Sequence, residues 1–214
     1  MDNRLRKHDR TTDRTTTKGR VTAVARAGLT PEVLARAGAE LADEVGFEQV
    51  TVTELARRFD VKVASLYSHV KSSHDLKVRI ALLALAELAD RATDAVAGRA
   101  GRDALAAFAE AYRGYAREHP GRYAAARLRL DPATAAASAA PRHSQLTRAI
   151  LRGYHLPEPA QTHAVRLLGG VFHGYIDLEA AGGFAHTPVP AQESWDWIVD
   201  SLDTLLRTHP APGP

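Results

Sequence analysis

Residues 50–76, VTVTELARRFDVKVASLYSHVKSSHDL, contain two very short helical patterns and the start of a third, and the rest of the chain is read outward from them. Thr51 stands three residues before Glu54, the spacing of a capping box in which hydroxyl and carboxylate satisfy each other's backbone amides. Leu55, Ala56 and Phe59 then give a narrow apolar face to a helix that ends near Asp60. A second helix is expected from about Lys62 to His69. Leu66 and Val70, four apart, point one way, while Lys62, Ser65, Tyr67 and His69 fall outside that stripe. Ser72 followed by Asp75 opens the third.

Two helices of roughly eight residues each are too short to be stable alone in water, so they must share a core with something longer. The free face of the second carries hydroxyls, a phenol, an imidazole and cations. Short helix, tight turn and short helix make a helix-turn-helix, whose second helix enters the major groove of DNA.

The same residues resemble a known family. Val61 opening the helix, the small pair Ala64-Ser65, Leu66-Tyr67, His69-Val70-Lys71, the capping Ser72 and Leu76 are similar to the signature of the tetracycline-repressor-like (TetR-like) bacterial transcription regulators. Two positions depart from it. The turn residue is Asp60 where the family usually has glycine, and Ser73 stands where a second lysine is usual. Aspartate enters left-handed backbone more readily than most residues, so the first departure leaves the turn intact. The second removes an expected phosphate contact.

The resemblance implies an all-α chain: an N-terminal three-helix DNA-binding domain joined by a long helix to a C-terminal helical domain for ligand binding and dimerisation. It also implies a homodimer on a palindromic double-stranded DNA operator, a small-molecule effector and a cytoplasmic location. Lys71, Thr51, Tyr67 and Lys62 are placed to bind phosphates, which sets the register of the reading helix without reading sequence. Ser65, Val63 and Ala64 would face base edges, the apolar groups meeting thymine methyls. Thr53 and His69 complete the expected DNA-contacting set.

Composition sets the outer limits. The chain has 214 residues and is 45% hydrophobic, enough for a sizeable core, and its formal charge is +3. A nucleic-acid role must therefore come from local charge. Having no cysteine excludes disulfides, thiolate zinc sites and cysteine nucleophiles, and fits a reducing compartment. No targeting segment or membrane span is expected, because the first residues are charged and the longest apolar run, from Ile80, is short and interrupted.

Three regions are expected: a basic arm over 1–27, the helix-turn-helix domain over 28–75, and the ligand-binding and dimerisation domain over 76–214. The arm carries Arg4, Arg6, Lys7, Arg10, Arg14, Lys18 and Arg20, and reads either as a follower of phosphates or as a solvated tail. Thr30-Pro31 opens the longer helix that the reading pair needs, with Val33, Leu34, Ala37, Leu41 and Val45 as its stripe and Gly46 at its end. Further helices are expected over 73–97, 103–118, 122–130, 141–154, 159–182 and 192–208. His119-Pro120-Gly121 reads as a stop, and the alanine-rich 131–140 is compatible with helix or loop.

In 165–184, VRLLGGVFHGYIDLEAAGGF, Gly169, Gly170 and Gly174 each weaken a helix by about 1 kcal/mol against alanine, so close approach of another element is the expected compensation. With Trp195, Ile198, Leu202 and Leu205 on the last helix they form the expected dimer surface. Phe172-His173-Gly174 is also similar to a regulator subgroup with a tryptophan-histidine-glycine motif. Phe108, Tyr112, Tyr115, Tyr123, Tyr154, Phe172 and His173 are the candidate ligand lining, suited to a flat, mostly apolar effector.

Two other classes remain open. A helical protein-interaction module would lack salt-dependent DNA binding. An enzyme could use His173 and Asp177, four apart on one helix, but no third ligand or protease spacing accompanies them, so no metal, cofactor or catalytic residue is expected.

Overall fold

A computed structural model describes residues 28–208, so the basic arm over 1–27 and the end of the chain over 209–214 lie outside the described residues. Ten α-helices follow one another there, with no strand among the described residues: α1 Pro31–Val45, α2 Val52–Phe59, α3 Val63–Leu66, α4 Ser73–Val96, α5 Gly101–Glu118, α6 Pro120–Ala125, α7 Pro132–Ala137, α8 Ala140–Leu151, α9 Glu158–Ala180 and α10 Ala191–Arg207. Short 3₁₀ turns at Phe47–Gln49 and Arg152–Tyr154 follow α1 and α8. The all-α architecture is the expected one.

Local chemistry sets the boundaries near the reading helices. The hydroxyls of Thr30, Thr51 and Ser72 accept from the amides of Val33, Glu54 and Asp75 at 3.3, 3.1 and 3.0 Å, capping α1, α2 and α4. Asp60 closes α2 in the left-handed conformation, φ 55° and ψ 46°, so it takes the turn that glycine would take. The α3 helix is shorter than the expected 62–69. Lys62 gives it no side-chain cap, and beyond Leu66 the chain continues as turns, with His69 N and Val70 N both bonded to the Leu66 carbonyl.

Two cores are stacked along α4. Leu34, Phe47, Leu55, Leu66, Leu76 and Ile80 belong to the first; Leu88, Leu105, Phe108, Leu168, Phe172 and Trp195 belong to the second. One helix supplies both, so its two ends cannot move independently. Ala125 of α6 also enters the first core, reaching back from the C-terminal half.

That reach corrects one expectation. His119-Pro120-Gly121 does not only stop a helix: α6 starts at Pro120, which fits a first helical position because its missing N–H needs no partner. Gly121 is buried so closely against α1 that a Cβ there would lie 2.0 Å from the backbone carbonyl carbon and oxygen of Ala42. The Asp43 carboxylate accepts from the Arg122 amide at 2.9 Å and lies 3.2 Å from His119 Nδ1. Arg122 also reaches Glu87 of α4 at 3.3 Å. The alanine-rich segment resolves into α7, capped by Asp131, with no buried residue of its own.

Candidate functional site

The reading head is built on a buried pair. Leu66 and Val70 are 0% and 1% exposed and root α3 in the first core, whereas Lys62, Ala64, Ser65, Tyr67 and Lys71 are exposed, Tyr67 at 52%. Val63 and His69 are half-buried at the edge of that face. Thr51 and Thr53 on α2 are exposed as well. The Thr51 hydroxyl already accepts from Glu54, so it keeps only its O–H for a phosphate oxygen. The Asp75 carboxylate accepts from the Lys71 amide at 2.9 Å and fixes where that lysine leaves the fold. Ser68 is also exposed there, its hydroxyl donating to the Ser65 carbonyl at 2.7 Å. Sequence spacing does not single it out, because a serine outside an apolar stripe has no periodic signature.

The aromatic candidates divide. Phe108 and Tyr112 of α5 stand 4.6 Å apart between ring centres, Phe108 and Phe172 6.4 Å, and His173 lies 5.9 Å from Tyr112 and 5.7 Å from Tyr123. These five come together. Tyr115 and Tyr154 belong to the same core, but their hydroxyls turn to carboxylates, donating to Glu87 at 2.9 Å and to Asp203 at 2.7 Å respectively. A buried phenol seeks a carboxylate when one is in reach, and the apolar spacing that picks them out does not report the polar tip.

His143 of α8, which the aromatic pattern does not point to, completes the cluster. Tyr112 bonds its Nδ1, while its Nε2 lies 3.1 Å from the Leu85 carbonyl of α4. A carbonyl can only accept, so Nε2 carries the proton and Nδ1 accepts from the phenol. His173 Nδ1 and the Tyr123 hydroxyl share a hydrogen bond of 2.5 Å. Burial holds both imidazoles below their ordinary pKa of 6.5 and pushes the Tyr112 and Tyr123 phenols up.

These depressed values make the fold acid-sensitive. Below about pH 6.5 the unfolded chain takes protons that the folded His143 and His173 refuse. Their contribution is complete above that value and is lost as pH falls through the folded values. Thermal melts should be flat from these groups between about pH 7 and 8 and fall from about pH 6.5 downward, and His143→Gln with His173→Gln should flatten that fall. An unchanged slope in the double variant would show the burial to be unimportant.

Beneath α9 and α10 lies a charged node that sequence spacing passes over. Arg113 is 0% exposed; its Nε and Nη2 donate to Glu179 at 2.9 and 2.6 Å and its Nη1 to Gln192 at 2.7 Å. Its guanidinium faces the rings of Trp195 and Tyr175 at 4.9 and 5.5 Å. The hydrogen bonds from Arg113, and beyond them Arg117, hold the Glu179 carboxyl below its usual range. A signal was present: Arg113 is four residues after Ala109 and three before Ala116, on the buried stripe.

The dimer candidates divide too. Among the described residues no other helix brings an atom within 4 Å of a Cβ placed at Gly169, Gly170 or Gly174, so the compensating element is not one of them. Trp195 and Leu202 are 2% and 7% exposed within the chain, Trp195 against Phe172 and Tyr175. The indole is large enough to fill the space between α9 and α5 before any partner is present. Leu205 remains 51% exposed, Trp197 70%, and Ile198 is half-buried.

His173 and Asp177 are engaged separately, the first by Tyr123 and the second by Arg127. No group of three or more His, Asp or Glu suited to a metal occurs among the described residues, and none of the described helices is long and apolar enough to cross a membrane.

Comparison with known proteins covers both halves. Residues 105–202 match the family model described as "Tetracyclin repressor-like, C-terminal domain". The uncharacterised HTH-type transcriptional regulator YobS of Bacillus subtilis is 30% identical over 183 residues, 86% of this chain and 92% of that protein. The uncharacterised HTH-type transcriptional regulator Rv0681 of Mycobacterium tuberculosis is 34% identical over 170 residues, 76% of each. Among solved structures, a TetR substitution variant of Acinetobacter baumannii in complex with minocycline superposes with a TM-score of 0.64 at 20% identity, covering 86% of this chain and all of that one. BioQ of Mycobacterium smegmatis gives 0.62 at 20% identity with the same coverage.

Proposed function

The chain belongs to the TetR-like family of HTH-type transcriptional regulators, and from that premise we propose that it is a ligand-responsive repressor that binds a palindromic operator as a homodimer. The observation that carries the DNA-binding part is the α3 surface, where Leu66 and Val70 are buried and Ser65, Tyr67 and Lys71 stand outward. Lys62, Lys71, Tyr67 and the Thr51 hydroxyl hold phosphates; Val63, Ala64 and Ser65 meet base edges; Thr53 and His69 lie at the rim. Residues 28–75 act as the reading unit and the rest as receiver.

The effector site is the cluster of Phe108, Tyr112, Tyr123, Phe172 and His173, with His143 as an added polar group. Its coupling route is α4, which supplies both cores and receives the His143 hydrogen bond at Leu85. A ligand that reorders the cluster shifts α4 as a rigid body and changes the separation of two reading heads. The open glycines of α9, with Leu205 and Ile198 of α10, form the subunit contact. The Phe172-His173-Gly174 segment, inside the matched 105–202 region, supports membership of the tryptophan-histidine-glycine-like subgroup. The ligand bound by the A. baumannii relative supports a ligand-responsive role.

DNA selected from a random pool by the protein, titrated at two salt concentrations, tests this reading. Lys71→Ala should weaken binding evenly across sequences and reduce the log–log salt slope by about 0.9 for each phosphate left unneutralised, twice that for a dimer. A combined Ser65→Ala, Tyr67→Ala, Lys71→Ala variant should fold normally by circular dichroism yet lose affinity at least about a hundredfold, as expected for several charge-assisted hydrogen bonds. If it binds as tightly as the parent, the assignment of α3 fails.

A further inference from the structure

Between the two halves of the molecule runs a groove of 530 Å³, with the Phe47–Gln49 turn and Val45 of the reading unit on one side and Ala124, Arg127, Leu128 and Arg129 on the other. This volume is in the range that holds small ligands. Val45 is 47% exposed there, a large apolar group without cover. Arg129 is exposed and has no side-chain hydrogen bond or ion pair among the described residues. Glu48, the groove's own acid, is taken by Lys77 Nζ at 2.7 Å. The groove is thus lined by both apolar and polar groups, with two arginines among them and its one acid already paired.

Arg127 connects this groove to the aromatic cluster. Its guanidinium lies over the Tyr123 ring at 5.3 Å, it pairs with Asp177, and its side chain is 40% exposed. Tyr123 is in turn hydrogen-bonded to His173. The guanidinium therefore sits between open groove and buried cluster, held by a carboxylate that is itself 48% exposed. Exposed ion pairs of this kind exchange readily, because they contribute little net free energy.

Resting on the ligand-responsive reading above, we propose that the effector is a flat apolar anion whose site extends from the aromatic cluster past Arg127 into this groove, where Arg127 and Arg129 take its carboxylate and Val45 and Leu128 flank it. Arg127 leaves Asp177 for the incoming carboxylate, one anion replacing another on a guanidinium whose fork takes a carboxylate in bidentate fashion. The bound molecule touches the Phe47–Gln49 turn and α6 together, so it bears on the seam that joins reader and receiver. A cationic occupant, such as the chain's own basic arm, is disfavoured by the two arginines.

Isothermal titration with 2-naphthoate and with uncharged 2-naphthalenemethanol tests this on the full chain. The carboxylate should bind at least about tenfold more tightly than the alcohol, the difference one charge-assisted hydrogen bond supplies. Arg129→Gln should reduce that preference and Arg127→Gln with Arg129→Gln should abolish it, leaving the alcohol unaffected. Asp177→Asn, which frees Arg127 from its present partner, should tighten naphthoate several-fold, an effect no loss of packing would produce. Equal binding of the two probes, a preference that survives in the double variant, or no naphthoate binding at its solubility limit would overturn the site. Charge-dependent naphthoate binding that leaves affinity for the selected DNA unchanged would uphold the site and overturn the ligand-responsive reading instead.

Discussion

Gly121→Ala should destabilise the protein by about 3 kcal/mol or more, at or above the top of the range for overpacked sites. In a protein of this size that lowers the melting temperature by roughly 6–12 °C. Helix propensity alone gives the opposite sign, since alanine in place of glycine favours a helix by about 1 kcal/mol. The whole loss comes from one approach: the new methyl would lie 2.0 Å from the Ala42 carbonyl and 2.5 Å from the Asp43 amide. Those are backbone atoms of α1, so no side chain can rotate away. Relief is available only if α6 separates from α1, which would also break the bonds of Asp43 with Arg122 and His119. On the proposed ligand-responsive reading, any folded remainder should therefore transmit less between receiver and reader, measurable as a ligand effect on DNA affinity smaller than in the parent. A melting temperature within about 2 °C of the parent would rule out so close an approach.

Glu179→Ala is the second large effect, also about 3 kcal/mol, because it leaves a fully buried guanidinium without its counter-charge. The figure is at the low end for such pairs, since Gln192 and two ring faces continue to serve Arg113. Removing both charges tells the mechanism apart from simple loss of packing. Arg113→Met with Glu179→Leu should recover most of the stability, as apolar replacements of buried ion pairs commonly do. Chemical denaturation of the two single variants and the double variant measures the coupling. A loss under about 1 kcal/mol in Glu179→Ala would mean that solvent reaches Arg113 after all.

Much of the molecule is legible without coordinates. Capping residues are local: Thr30, Thr51 and Ser72 each announce a helix start to the amides three residues on, and all three do so here. The outward and inward sides of the reading helix follow from the four-residue interval between Leu66 and Val70. What spacing cannot supply is the identity of each partner. Tyr112 and Tyr115 lie three apart on one helix and look alike as a pattern, yet one meets His143 and the other Glu87, because α8 and α4 pass different points of α5. Trp195 reads as surplus apolar area until Phe172 and Tyr175 are found against it.

By itself the amino-acid order determined the helical class, the caps, the short reading pair and the signature that ties Val61 through Leu76 to a family, since each depends on residues within one or two turns. Only the tertiary structure decided which groups meet: Gly121 on Ala42, Arg113 on Glu179, His143 between Tyr112 and Leu85, Arg127 between groove and cluster. Those pairs join residues far apart along the chain. They exist because the helices must exclude water from two cores that share α4, and that constraint is written in no single segment.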